Sequence, residues 1–170
     1  MFTTLQRRLI AGLATAATFS LPVLAHHSFA LYNMEQTKTF TGVVTRVNPD
    51  ANHLQIFFAE MNPERKNVVR DGDNKPVIWS VEMAGSAASA QDGISVAAFP
   101  QGTVFSVGVH PARNGDPSGF REGPLFKCPV REDGKGIPPA VGKHCDSVQG
   151  NTKLGNGNLP AGATNYVHGK

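Results

Sequence analysis

The feature that most constrains this chain is a set of short runs in which apolar residues alternate with polar ones, each bounded by Gly, Pro, Asn or Asp. In "HLQIFFAE" (His53 to Glu60), Leu54, Ile56 and Phe58 fall on one side and His53, Gln55 and Phe57 on the other. Period-two alternation of this kind marks a strand with one buried face. "VIWSVEM" (Val77 to Met83) repeats the pattern, with Val77, Trp79, Val81 and Met83 on one side and Ser80 and Glu82 on the other. "TFTGVVTRV" (Thr39 to Val47) precedes these two and closes at Asn48-Pro49-Asp50. "TVFSVGVH" (Thr103 to His110) follows them and is introduced by Pro100-Gln101-Gly102, a type II turn signal. A weaker fifth strand is expected at "GPLFKC".

Between the second and third strands, "MNPERKNVVRDGDNKP" reads as a loop or an exposed hairpin turning at Asp71-Gly72. Between the third and fourth, the Ala-rich "GSAASAQDGISVAAF" suits one short helix ending near Gly93. Five strands with a helix between the third and fourth match the order of a small Greek-key barrel of the OB type, with a β-sandwich as the alternative. The stretch after Gly150, rich in Gly and Asn, has little to bury and is expected to be disordered or draped on the surface.

The N-terminus carries a second constraint. Arg7 and Arg8 precede an uncharged run, Leu9 to Leu24, that ends in Val23-Leu24-Ala25, the layout of a secretory signal peptide cleaved after Ala25. The run is 16 residues long and contains Pro22, while a spanning helix needs about 20 apolar residues. The pair also has a faint likeness to a twin-arginine export signal. Cleavage would leave residues 26–170, 145 in all, enough for one domain. The expected organisation is a signal peptide over 1–25, an N-terminal segment over 26–36, a barrel over 37–149 and a flexible tail over 150–170. Loss of Arg7 and Arg8 takes two of the 16 basic residues against 13 acidic ones, so the formal charge falls from +3 to +1. The basic balance thus belongs largely to the signal and gives no reason to expect nucleic acid as a partner. The mature chain has no further run able to span a membrane.

Export to the periplasm also sets the reading of Cys128 and Cys145, the chain's two cysteines. In an oxidising compartment their pairing is the default. The bridge would close a 17-residue loop around the Gly/Pro-rich "PVREDGKGIPPAVGKH" and contribute about 3 kcal/mol. A thiolate metal site helped by His144 is the alternative, although no CxxC spacing accompanies it.

The order of these motifs resembles a family of small uncharacterised exported bacterial proteins. Its features are a His-His-Ser-Phe opening after the signal peptide, a Gly-x-Val strand ending in Asn-Pro-His, then Trp-x-x-Glu, then a Pro-Gly-x-x-Val strand leading to an Ala-Arg-x-Gly turn. This chain offers "HHSFA", "GVVTRVNP", "WSVEMAG" and "PQGTVFSVGVHPARNG". Where the family has Asn-Pro-His, this sequence has Asn48-Pro49-Asp50, and the nearest histidine is His53. The resemblance implies an exported OB-like barrel and assigns no reaction.

The site candidates are histidines. Cleavage after Ala25 would give His26 a free α-amine, whose reference pKa near 8 makes it available to a metal at neutral pH. The amine and Nδ1 of His26 can close a six-membered chelate ring, and one more imidazole would complete a nitrogen-rich plane suited to copper(II). His27 offers a rival chelate through the amine, its own amide nitrogen and its imidazole. A barrel ligand would come from His53, which faces away from the core trio, or from His110 at the end of the fourth strand. Glu82 is the candidate to orient an imidazole from behind. Phe29 and Tyr32 read as packing anchors, and Arg113 as part of a turn. The leading expectation is a non-catalytic periplasmic binding or accessory protein, with copper as the candidate cofactor. A copper-dependent redox enzyme and an oligosaccharide-binding module are the alternatives. No P-loop, GxSxG or HExxH motif is present.

Overall fold

A computed structural model describes residues 27–160 of the chain. The signal peptide read over 1–25, His26 and the last ten residues of the tail lie outside the described residues. The elements among the described residues are α1 (His27–Leu31), β1 (Lys38–Asn48), β2 (Gln55–Glu60), β3 (Ile78–Glu82), α2 (Ser86–Gln91), β4 (Val104–Pro111), β5 (Ser118–Lys127), a 3-10 turn at Cys145–Ser147, and β6 (Thr152–Leu154).

Strand β1 pairs antiparallel with both β2 and β4, β2 with β3, and β4 with β5. A short parallel pairing of Ser80–Glu82 with Ser118–Phe120 closes the ring. The result is a closed five-stranded mixed barrel with α2 between β3 and β4, the OB-like arrangement expected from the sequence. The sandwich alternative is set aside by that closing β3–β5 pairing. β5 begins at Ser118, five residues before the expected "GPLFKC". Ser118 to Glu122 carries little apolar alternation, and backbone pairing to β3 and β4 makes it a strand.

The alternating residues fill the barrel as their spacing dictates. Leu54, Ile56, Phe58, Trp79, Val81, Met83, Phe105, Val107 and Leu125 are all buried in one cluster. Aromatic rings meet edge-on at its centre, Phe58 against Phe105 at 5.2 Å and Phe99 against Phe105 at 5.5 Å, with Phe40 on Trp79 at 4.4 Å. Gly102 has φ +90 and Pro100 O accepts the Thr103 N–H, as a turn into β4 requires. In the β2–β3 hairpin, Asp71 Oδ1 accepts N–H groups from Asp73 and Lys75, and Asn74 takes the left-handed position at φ 62.

Cys128 and Cys145 are joined in a disulfide and buried in a second, smaller cluster with Met61, Val104 and Phe126. A hydrogen-bond chain seats the closed loop on the barrel wall. The Cys145 N–H donates to Ser106 Oγ at 2.8 Å, Ser106 Oγ lies 2.7 Å from Thr41 Oγ1, and Thr41 Oγ1 lies 2.8 Å from His144 Nδ1. Burial, reinforced by Arg65, pushes the His144 imidazole below its ordinary pKa, which favours the neutral ring in this hydrogen-bond chain. His144 thus serves the loop, next to a disulfide that leaves no thiolate for a metal.

Beyond Gly150 the chain is draped on the barrel as far as it is described. β6 adds a sixth strand to the edge of β5, and the Thr39 hydroxyl donates to Pro160 O at 3.1 Å. Among the described residues no helix is long and apolar enough to cross a membrane.

Candidate functional site

Asp50 ends the turn after β1 and organises the loop that presents His53. Its Oδ1 accepts the N–H of Asn52 at 2.7 Å and of His53 at 3.2 Å, and these bonds hold the carboxyl below its usual pKa. The loop rests against the start of α2. Asp50 O accepts both the N–H and the hydroxyl of Ser86, and a Cβ at Gly85 would collide with Ala51 O. His53 lies just ahead of β2, with its side chain 47% exposed.

Glu82, the last residue of β3, stands between this histidine and the N-terminal segment. His53 Nδ1 approaches Glu82 Oε1 at 3.1 Å, obliquely, so that Oε1 accepts no hydrogen bond among the described residues. The other carboxylate oxygen, Oε2, accepts the Tyr32 hydroxyl at 3.1 Å. Burial first, and the Glu82 charge second, push the Tyr32 phenol well above its ordinary pKa and keep it a donor. His53 Nε2 has no partner among the described residues.

The segment carrying Tyr32 is fastened to the barrel by packing and by backbone pairing. Phe29 in α1 meets Phe120 edge-on at 5.0 Å, and Tyr32 lies over the same ring at 6.0 Å. Phe120 is the register partner of Glu82 across the β3–β5 closure. Arg113 N–H donates to Leu31 O, and Asn33 N–H to Pro111 O, so α1 is tied to the β4–β5 turn. The structure thus brings Tyr32, Glu82 and His53 together just after His27, whose backbone opens α1.

This stretch is also where a comparison with known families decides membership. A family of unknown function, DUF6152, matches residues 15–121. The chain belongs to the DUF6152 family. The matched residues include His26, His27, Tyr32, His53, Glu82 and His110, and stop short of the disulfide and β6. No curated protein and no solved structure matches the chain.

Within the DUF6152 stretch, His110 occupies a different setting from His53. Its ring is nearly buried, with Nδ1 2.8 Å from Gln36 O and Nε2 3.0 Å from Glu122 Oε2. Both nitrogens face acceptors, so in this arrangement neither directs a lone pair outward to a metal. Among the described residues no three His, Cys, Asp or Glu side chains converge on a metal-sized site.

Two groups escaped the sequence reading. Tyr32 was legible as an anchor, but its hydroxyl bond to a carboxylate 50 residues away was not. Glu60, at the end of β2, continues the inward parity of Ile56 and Phe58 and is buried. Burial pushes its carboxyl up to about 7, against the opposing pull of the Trp79 indole, Arg65 and Lys38.

Proposed function

We propose that this protein is an exported, periplasmic binding or accessory protein whose mature chain begins at His26 and holds one copper(II) ion. The ligands are the α-amine and Nδ1 of His26, with His27 as the rival chelate, and Nε2 of His53. Glu82 Oε1, 3.1 Å from His53 Nδ1, would accept the Nδ1 proton after a small rotation of the ring, as carboxylates do behind metal-bound imidazoles, and so leave Nε2 for the metal. A nitrogen-rich ligand set of this kind would suit copper(II).

The observation that carries this reading is the shared carboxylate of Glu82. One oxygen holds Tyr32, five residues after His27, and the other faces His53. A pair of terminal histidines could chelate copper as a bare peptide. Fastening the segment behind them beside a solvent-facing barrel histidine supports a folded site.

Two measurements test the proposal. Intact mass of the exported protein reads its first residue directly, and a chain starting at Leu31 ends the proposal. Visible absorption of the copper-loaded protein should show the nitrogen-rich band of a planar site, shifted in a His53→Ala variant to that of the free N-terminal peptide.

A further inference from the structure

A cavity of about 340 Å³ is lined by residues of α2, β5 and the segment after β6, with Met83 and Ala84. Its size falls at the lower end of small-molecule sites, about 300–1,000 Å³. Met83, Ala88 and Phe120 form an apolar side, and Asp92, Arg121 and Asn156 a polar one.

The polar side carries no net charge. Arg121 donates through Nη2 to Asp92 Oδ2 at 2.7 Å, which neutralises both groups where they stand. Nη1 and Nε of Arg121, Oδ1 of Asp92 and the side-chain amide of Asn156 have no partner among the described residues. The lining thus offers both donors and acceptors, together with apolar side chains. With its charges paired, this side gives neither an anion nor a cation a net electrostatic attraction. A hydroxyl both donates and accepts, and neighbouring hydroxyls on a ring can meet such groups while the ring's C–H face rests on Phe120 and Ala88.

We infer that this cavity binds a small, uncharged polyhydroxylated ligand of monosaccharide size. Asn156 and the Arg121–Asp92 pair bind its hydroxyls, and Met83, Ala88 and Phe120 its carbon face. The cavity adjoins the N-terminal segment through Phe120, on which Phe29 and Tyr32 pack, but none of the proposed copper ligands lines it, so loss of copper binding and loss of sugar binding are read separately.

The test is a titration of the ¹⁵N-labelled protein with D-glucose, D-mannose and N-acetyl-D-glucosamine, followed by amide chemical shifts. Acetate, phosphate and spermidine are the charged controls. At least one sugar should shift the amides of Ala88, Phe120, Gly123 and Asn156 saturably. Asn156→Ala should weaken binding about threefold to tenfold, the loss of one or two neutral hydrogen bonds. Ala88 is exposed on α2, so Ala88→Trp can fill the cavity without disturbing the barrel and should abolish the shifts. No response to any sugar, an undiminished response in Ala88→Trp, or saturable shifts of the same amides by acetate or phosphate alone would overturn the inference.

Discussion

Replacing Glu60 by glutamine should change how this protein's stability depends on pH, in a direction opposite to that of most carboxylates. Glu60 is 3% exposed, its Oε2 accepts no hydrogen bond among the described residues, and burial raises its carboxyl to about 7 from an ordinary 4.5. The folded chain thus holds the proton more tightly than the unfolded one. The resulting stabilisation is complete below pH 4.5, declines as pH rises, and is lost above pH 7. That interval corresponds to about 3 kcal/mol, of which about 2 to 3 kcal/mol falls between pH 5 and pH 8. His144 and Asp50, whose pKa values are lowered on folding, work in the other sense. The informative quantity is therefore the difference between wild type and Glu60→Gln at each pH. Urea unfolding followed by far-UV circular dichroism, with the single tryptophan, Trp79, as a second probe, measures it. Glu60→Gln should be within about 1 kcal/mol of wild type at pH 5 and gain about 2 to 3 kcal/mol on it by pH 8. Parallel pH profiles, or a variant that loses ground as pH rises, would show that Glu60 is not a buried acid with a raised pKa.

Three further outcomes follow from the packing. Cys128→Ala combined with Cys145→Ala should lower unfolding free energy by about 3 kcal/mol, read from the urea midpoint, with faster hydrogen exchange in the loop the bridge closes. Gly42→Ala should cost about 1–3 kcal/mol, because a Cβ there would run into the Phe58 ring and approach Ala59 O at 2.9 Å; an unchanged melting temperature would mean that β1 gives way freely. Tyr32→Phe leaves Glu82 Oε2 without its donor and should cost about 1–2 kcal/mol, with increased exchange at the amides of residues 31–33.

Much of the barrel could be read from residue order because its interior strands alternate cleanly. Ile56 and Phe58, Trp79 and Val81 have no other way to be buried together, and the turn chemistry at Gly102 marks where β4 begins. β5 was harder because Ser118 to Phe120 close the ring through main-chain pairing, which leaves no trace in side-chain pattern. β6 was missed for the same reason: Thr152–Leu154 is a strand because the edge of β5 is there to pair with. At the candidate site, Glu82 was legible from strand parity, whereas His53, expected to open the second strand, lies in the loop just ahead of β2. Asp50's grip on the His53 loop and the Tyr32 hydroxyl bond depend on distant segments meeting, as does the enclosure of His110 between Gln36 and Glu122. Glu60 was hidden by its position at a strand end, where a charged residue ordinarily emerges into solvent.

The most direct test of the central claim is the copper(II) affinity of the chain beginning at His26, measured by competition with a chelator of known affinity, in wild type and in His53→Ala. A folded site in which His53 supplies a nitrogen predicts at least a tenfold loss, about 1.4 kcal/mol. His110→Ala should bind copper as wild type does once its folding is verified. Equal affinities for wild type and His53→Ala would mean that the terminal histidines chelate copper alone, and would contradict the account.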